Sequence, residues 1–205
     1  MKNTVITIGR QYGSGGHELG EKLAKELGFE FYDNNLVKLA AEKSNICPEI
    51  SKLADEKAAS SLLYSIAMSG GMRNILSGHY EMPINDKLFI AQAETIKKIA
   101  HDSSSVIVGR CANYVLQSEE DINLVNLYIY ADMDYRLKKV KDVYDLSDAA
   151  AKDKIIKADK KRRAYYNYYS SGTWGDASEY DLCINIGKVG PDAAIRMIKE
   201  YVKNI

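Results

Sequence analysis

Short apolar runs alternate with stretches of helical periodicity along this chain of 205 residues. Several of the runs are continuously apolar and rich in β-branched residues, whereas a half-buried strand would alternate apolar and polar side chains. Continuously apolar strands are typical of a parallel sheet that helices cover on both faces. The pattern predicts a doubly wound α/β domain, with strands at residues 4–8, 29–32, 106–108, 124–130 and 182–186.

The segments between the strands carry residues that favour helix ends. Gly28 follows a helical pattern and predicts its end, Asp86 and Ser147 suit the starts of two further helices, and Pro191 suits the first turn of the last. At about 150 residues per domain, the chain predicts a single domain spanning residues 1–205. Residues 34–86 have little β character and predict a small helical insert.

Composition and charge exclude several classes of protein. Lys and Arg number 28 and Asp and Glu number 28, so there is no net positive charge to attract long nucleic acid or a membrane surface. No apolar run approaches the roughly 20 residues of a membrane-spanning helix, and the N-terminus lacks the pattern of a secretory signal. The three cysteines fit no disulfide framework and no zinc spacing, so we expect a cytoplasmic protein without a set of metal ligands.

A glycine-rich loop follows the first strand. Gly13, Gly15 and Gly16 allow the backbone around Ser14 to turn so that successive N–H groups point inward. The loop lies at the carboxyl end of a strand and in front of a helix N-terminus, and both positions favour anionic ligands. The alternative is a tight turn that binds nothing, but three glycines cost more backbone entropy than a turn requires. We therefore predict a phosphate-binding loop, with His17 as a further donor.

The loop departs from the Walker A pattern G-x-x-x-x-G-K-[ST], whose Lys contacts the β- and γ-phosphates and whose hydroxyl binds magnesium. If Gly15 is the second motif glycine, Gly16 occupies the Lys position and His17 the hydroxyl position. A cation missing about 4 Å from a phosphate forfeits up to about 4 kcal/mol at an effective dielectric constant of 20. Either another cation replaces the missing Lys, or the protein is a poor kinase or has no kinase activity. Arg10, at the end of the first strand, is the best placed candidate.

Five blocks of the sequence resemble, in order, the cytidylate kinase-like proteins, a branch of the P-loop nucleoside monophosphate kinases. They are ITIGRQYGSGGHELGEKLAKELGFEFYD, VIVGRCANYVL, IYADMDYRLKKV, KADKKRRAYYNYY and WGDASEYDLCINIGKVG. The blocks span nearly the whole chain, and residues 44–86 match least. The resemblance implies a P-loop NTPase-type three-layer α/β/α fold with a five-stranded parallel sheet, an NMP-binding helical insert at 34–86 and a helical lid at 147–173.

The resemblance also implies an activity and the residues that perform it. The activity is transfer of the γ-phosphoryl group of ATP, with magnesium, to a pyrimidine monophosphate such as CMP. The residues carried over are Gly13, Ser14, Gly15 and Gly16 for the ATP phosphates, Asp33, Gly109 and Arg110 for the acceptor, and Arg136, Asp159 and Arg162 for the transfer step. Cys111 departs from the family, which usually has an acid after the Gly-Arg pair.

Alternatives remain open for two of these acceptor residues. Arg110 directly follows an apolar strand, which favours a position at the ligand edge of the sheet over a surface cap. Its planar guanidinium suits bidentate contact with phosphate oxygens. Asp33 either binds the acceptor or caps the next helix.

The segment at 152–163 contains seven cations and two acids. It is either a solvated helix face or a lid that closes over phosphates and excludes water. In the second case Arg162, with Lys160 or Lys161, supplies the charge of the missing Lys. Asp159 is expected to pair with Arg162 rather than to hold magnesium.

The sequence thus predicts ATP-dependent phosphoryl transfer to CMP or dCMP, with small-molecule nucleotides as partners. One alternative is a non-catalytic nucleotide- or phosphate-binding regulatory protein, which the missing Lys and hydroxyl favour. The other is a kinase that acts on a different small molecule. Four tyrosines at 165–169 cannot all face one core, and they stack on a base, pack the lid or form a subunit contact. No pattern indicates the oligomeric state.

Overall fold

A computed structural model of the chain describes residues 2–33 and 84–205. The chain divides into two compact units, one formed by Met1–Asp33 with Ile96–Ile205 and the other by Asn34–Thr95. The helical insert predicted at 34–86 lies outside the described residues, except for the start of one helix at its end. The features that follow belong to the first unit unless stated otherwise.

A sheet of five parallel strands forms the centre of this unit, in the order β2-β3-β1-β4-β5. Every predicted strand is present, with ends that differ from the predicted ones by one or two residues. The bounds are β1 (Asn3–Arg10), β2 (Glu30–Tyr32), β3 (Ser105–Val108), β4 (Ile122–Tyr130) and β5 (Leu182–Asn185).

Seven α-helices lie in the described part of the chain, and the predicted end signals act at three of them. Gly28 ends the first in the left-handed conformation, the Ser147 hydroxyl caps the fifth, and Pro191 opens the last. Asp86 lies within the first turn of the second helix, which begins at Ile84. The bounds are α1 (Gly16–Leu27), α2 (Ile84–Asp102), α3 (Ala112–Leu116), α4 (Met133–Tyr144), α5 (Asp148–Tyr169), α6 (Ile186–Val189) and α7 (Pro191–Val202).

Apolar side chains are buried on both faces of the sheet. Ile6 and Ile8 of β1 belong to one core cluster together with Leu19 and Leu23 of α1 and with residues of α7. Alternate residues of a strand point to opposite faces, and Val5, on the other face, is also fully buried. The three-layer arrangement predicted from the continuously apolar strands is therefore confirmed.

The strand register brings three chain segments to one edge of the sheet. Ile8 of β1 pairs with Val108 of β3, and Arg10 pairs with Ile129 of β4. The glycine-rich loop after β1, the turn after β3 and the end of β4 thus meet at the carboxyl edge. Ligands of open parallel sheets bind at this edge.

Candidate active site

The glycine-rich loop between β1 and α1 is tied to the end of β4 through Gln11. The Gln11 N–H donates to the carbonyl of Ile129 at 3.0 Å, and its side-chain oxygen accepts from the Ala131 N–H at 3.2 Å. Inside the loop, the Ser14 hydroxyl donates to the Gln11 carbonyl at 2.9 Å and accepts from the Gly16 N–H at 3.3 Å. Ser14 is fully buried. Its hydroxyl therefore braces the loop from within.

Each glycine of the loop has its own structural reason. Gly13 and Gly15 have φ angles of 77° and 86°, in the left-handed region that favours glycine. Gly16 has an ordinary φ, but a Cβ there would lie 2.8 Å from the Cβ of Arg10. The three glycines are therefore required by backbone shape and by close packing.

The glycine-rich loop and the first turn of α1 contain backbone N–H groups that make no hydrogen bond within the described residues. The helix begins after Gly15 without a side-chain cap. The N–H groups of Gly13, Gly15 and His17 have no hydrogen-bond acceptor in the part of the chain that the structure describes. These free N–H groups alternate with the bonded ones of Ser14 and Gly16, and together with the helix dipole they suit an anionic ligand.

Arg10 connects this loop to the turn after β3. Its Cβ and Cγ pack against Gly16, and its guanidinium lies against Gly109. The Arg10 Nε is buried and is one of three buried side-chain polar atoms without a hydrogen-bond partner in residues 2–33 and 84–205. A buried donor without an acceptor is costly. Arg10 as a whole is only partly buried, so its guanidinium is the part of the side chain that suits an anionic ligand.

Arg110 lies in a strained turn. Gly109, Arg110 and Cys111 follow one another with φ angles of 84°, 60° and 55°, all in the left-handed region. A residue other than glycine costs about 1–2 kcal/mol in this conformation. Strain of this kind is concentrated at functional sites. Burial raises the pKa of the Cys111 thiol to about 12, with Arg110 opposing the shift, so this residue behaves as a small apolar side chain.

Two arginines from other segments, Arg110 and Arg162, lie close enough to Arg10 to act on its charge. The Arg162 guanidinium donates to the Arg10 carbonyl at 3.0 Å and lies 5.4 Å from the Tyr12 ring centroid. Burial, followed by the charges of Arg162 and Arg110, lowers the pKa of Arg10 to about 9, and Asp33 opposes this shift. Burial also lowers the pKa of Arg162. The site therefore has an excess of positive charge next to the phosphate loop.

Asp159 and Arg136 form a largely buried ion pair that holds the loop. Asp159 accepts from the Tyr12 N–H at 2.7 Å with one oxygen and pairs with Arg136 through the other. Arg136 also donates from Nε to the Tyr12 carbonyl at 2.8 Å. The predicted ion pair of Asp159 with Arg162 is therefore wrong: Asp159 pairs with Arg136, and the Arg162 guanidinium donates to the Arg10 carbonyl. Asp159 acts on Arg162 only through its charge, which raises the Arg162 pKa against the effect of burial.

His17 and Asp33 are brought together by the return of the chain through α1 and β2. Their side chains approach to 2.8 Å, and the His17 ring packs edge-on against Phe31. His17 was predicted at the ATP side of the site and Asp33 at the acceptor side. The structure thus places a direct contact between the two groups.

The tyrosines at 165–169 divide between different surroundings. Burial raises the pKa of Tyr165 to about 12, with the nearby Arg110 opposing the shift. Tyr166 is buried, and its hydroxyl accepts from the Asn113 side chain at 2.8 Å. Tyr168 is 70% exposed. Lys160 and Lys161 are exposed on α5.

One basic residue at the loop was missed by the sequence reasoning. Lys139 of α4 places its amine 2.9 Å from where a Cβ on Gly15 would lie, and it pairs with Glu18 at 3.0 Å. The available signal was its spacing of three residues from Arg136, which puts both cations on one side of a helix.

The residues around the glycine-rich loop suit a polyphosphate ligand. The free N–H groups of the loop and the Arg10 guanidinium are suited to phosphate oxygens. For magnesium, residues 2–33 and 84–205 contain no cluster of three or more His, Cys, Asp or Glu side chains that could bind a metal ion. Magnesium in kinase sites is usually held in large part by substrate phosphates and waters.

The strand order β2-β3-β1-β4-β5, with a glycine-rich loop between the central strand and the first helix, is that of the P-loop kinases. Two solved structures support this fold assignment. A shikimate kinase from Bacteroides thetaiotaomicron is 14% identical, covers 98% of each chain and has a TM-score of 0.54. A gluconokinase from Sinorhizobium meliloti is 11% identical, covers 100% of this chain and 96% of its own, and has a TM-score of 0.51.

Within this class, the sequence matches the cytidylate kinase-like family over residues 5–188, and the chain belongs to that family. The resemblance read from the motifs is thereby confirmed. A structure of an uncharacterized protein from Eubacterium ventriosum is 29% identical, covers 99% of this chain and all of its own, and has a TM-score of 0.74. No curated protein matches the chain significantly. None of the helices in residues 2–33 and 84–205 is long and apolar enough to cross a membrane.

Proposed function

We propose that the protein transfers the γ-phosphoryl group of ATP to a nucleoside monophosphate, with CMP or dCMP as the acceptor. The observation that carries this proposal is the position of Arg10, which packs against Gly16 at the uncapped start of α1 and against Gly109 of the Gly-Arg turn. The Arg10 carbonyl accepts from Arg162. Phosphoryl transfer is catalysed mainly by positioning and charge neutralisation. An arginine-rich, phosphate-binding edge supplies both.

On the donor side, the loop from Gly13 to His17 binds the ATP phosphates through its free N–H groups. Arg10, whose Nε has no acceptor among the described residues, adds a charged donor. ATP enters with magnesium, which neutralises phosphate charge and is held mainly by phosphate oxygens and waters. The braced Ser14 keeps the loop in this shape before the nucleotide binds.

On the acceptor side, Arg110 binds the monophosphate, and the strained turn that begins at Gly109 orients it. Tyr165 of α5 lies near Arg110, which opposes the rise in the Tyr165 pKa. Asp33, next to His17, contributes to acceptor binding. A phosphate acceptor suits this site because its negative charge offsets the repulsion that Arg110 and Arg162 exert on the Arg10 guanidinium.

In the transfer step, an oxygen of the acceptor phosphate forms a bond to the γ-phosphorus while the bond from that phosphorus to the β–γ bridging oxygen breaks. ADP and a nucleoside diphosphate result. The second pKa of a phosphate monoester is about 6, so the attacking oxygen is already ionised at neutral pH and no proton must be removed. Arg162 neutralises the transferring group, and Lys160 contributes when the lid at 147–173 excludes water. Arg136 and Asp159 position the loop.

The test is ADP production from ATP and magnesium, with CMP, dCMP, UMP, AMP and GMP assayed separately. Arg110→Ala removes the acceptor contact, and hydrogen bonds to charged groups contribute about 1.5–3 kcal/mol. We expect kcat/KM to fall by roughly 10- to 150-fold, since about 1.4 kcal/mol corresponds to a factor of ten. Arg196→Ala, an exposed arginine on α7, is the matched control and should leave kcat/KM unchanged.

Turnover with one pyrimidine monophosphate that is lost in Arg110→Ala would support the proposal. ATP binding without turnover on any acceptor would refute it and favour a nucleotide-binding regulatory protein. A third arm supplies shikimate and gluconate, because solved structures with this fold carry those kinase names. Transfer to a hydroxyl compound alone would keep the kinase chemistry and replace the acceptor.

A further inference from the structure

The amine of Lys139 lies directly over the phosphate loop. It is 2.9 Å from the point that a Cβ on Gly15 would occupy, so the absence of a side chain at Gly15 gives the amine its place. The described residues show it paired with one group, the Glu18 carboxylate, at 3.0 Å. Lys139 comes from α4, which follows β4, and is therefore remote in sequence from the loop.

We propose that Lys139 supplies the cation that a Walker A lysine would otherwise supply, and that it contacts the phosphate chain of the bound nucleotide. The inference rests on the proposed function, because it concerns the same loop. The position after Gly15, where the motif has Lys, is Gly16 in this chain. The positive charge thus reaches the loop from a neighbouring helix instead of from the loop itself.

The structure holds Lys139 in place through its own helix. Arg136, one turn earlier on α4, donates to the Tyr12 carbonyl at 2.8 Å and pairs with Asp159. The Cβ position of Gly13 would lie 2.9 Å from Val140, the next residue of the helix. The phosphate loop and α4 are therefore packed together on both sides of Lys139, which fixes the position of its backbone next to the loop.

The other cations of the site are less suited to this role. Arg10 is packed between Gly16 and Gly109, and Arg162 is bound to the Arg10 carbonyl. Lys160 is exposed on α5. Lys139 combines a flexible stem with three donors.

The pair with Glu18 can exchange for phosphate at little cost. Glu18 is 59% exposed, and exposed ion pairs contribute little. Burial raises the pKa of the Glu18 carboxyl, but its own backbone N–H and Lys139 outweigh this effect and leave the pKa below its ordinary value. Glu18 therefore stays ionised at neutral pH, holds the amine at the loop before the nucleotide arrives, and competes with phosphate for it.

The experiment measures binding of ATP, ADP and AMP with magnesium by isothermal titration calorimetry. Lys139→Met removes the charge, Lys139→Gln is a second variant in case the first does not fold, and Lys139→Arg should restore it. Lys138→Met, an exposed neighbour on the same helix, is the matched control. We expect Lys139→Met to weaken ATP binding by about tenfold or more, AMP binding to change little, and kcat to fall by roughly a hundredfold.

Glu18→Gln adds a readout that a merely structural role of Lys139 would not produce. Removing the competing carboxylate should tighten ATP binding several-fold in the wild-type background and leave it unchanged in Lys139→Met. Equal ratios of ATP to AMP affinity in the wild type, Lys138→Met and Lys139→Met would overturn the proposal. Melting temperatures of all variants confirm that each is folded.

The outcomes separate this inference from the proposed function. Phosphoryl transfer that survives intact in Lys139→Met leaves the kinase proposal standing and overturns the role of Lys139. Binding of ATP that depends on Lys139, without turnover on any acceptor, supports Lys139 and refutes the kinase. A wild-type protein that binds none of the three nucleotides overturns both.

Discussion

Replacing Asp159 by Ala tests whether the Arg136–Asp159 pair holds the phosphate loop. The variant removes the acceptor of the Tyr12 N–H, at 2.7 Å in the structure, and leaves the Arg136 guanidinium without its acid. The Arg136 side chain is 6% exposed and that of Asp159 is 15% exposed. Water therefore cannot easily replace the lost partner.

The expected magnitude follows from this burial. Removing one partner of a buried ion pair costs about 3–5 kcal/mol, because the other charge stays buried and uncompensated. For a chain of this length, each kcal/mol lowers the melting temperature by about 2–4 °C. The free energy of unfolding should therefore fall by about 3–5 kcal/mol and the melting temperature by roughly 6–20 °C.

The assay is urea denaturation of the wild type, both single variants and the double variant Arg136→Met/Asp159→Ala. The double variant removes both charges, so it should be more stable than the sum of the single effects by about 0.5–3 kcal/mol. Asp153→Ala is the control, since Asp153 forms an exposed pair with Lys157 on the same helix and should cost at most about 0.5 kcal/mol. An Asp159→Ala variant as stable as Asp153→Ala, or single effects that simply add, would refute the reasoning.

Three further predictions concern the phosphate loop, the binding of an anion at the site and the reactivity of a cysteine. Gly15→Ala and Gly28→Ala both place alanine at a positive φ, and each should lower the free energy of unfolding by about 1–2 kcal/mol. Only Gly15→Ala should weaken ATP binding, because an added Cβ at Gly28 meets open space. Equal ATP affinities of the two variants would contradict this prediction. Tripolyphosphate at 100 times its Kd should raise the free energy of unfolding by about 2.7 kcal/mol and the melting temperature by roughly 5–11 °C, whereas sodium chloride of equal ionic strength should not. In a Cys47→Ser background, a thiol reagent at pH 8 should label the exposed Cys183 well before the buried Cys111, whose pKa burial raises to about 12. The labelling rate of Cys111 should rise with pH, because more of its thiol is then ionised. Faster labelling of Cys111 than of Cys183 at pH 8 would contradict the burial of Cys111.

The elements of the sheet and most helix ends could be predicted because their signals are local. Each signal depends on residues that are close together in the sequence: an apolar β-branched run for a strand, a glycine at the end of a helix, or a serine before the start of a helix. The five strands and the ends at Gly28, Ser147 and Pro191 were read in this way. The glycines of the phosphate loop were also visible, although the sequence did not say that Gly16 makes room for Arg10.

The partners of charged side chains could not be predicted, since they come from segments far apart in the chain. Asp159 was expected to pair with Arg162, three residues along the same helix, but the fold brings Arg136 to it from α4. The role of Lys139 could not be predicted, because nothing near it in the sequence distinguishes it from Lys138.

The sequence by itself determined the alternation of strands and helices, the glycine-rich loop, and membership of the cytidylate kinase-like family. Each of these properties depends on short segments in a fixed order, so each can be recognised from the sequence without knowing which segments meet in space. Only the tertiary structure decided which cations reach the loop, because a charge interacts through space over a few ångströms. The parallel register brings Arg10 and Arg110 to one edge, and the packing of α4 against Gly13 sets the Lys139 amine over Gly15.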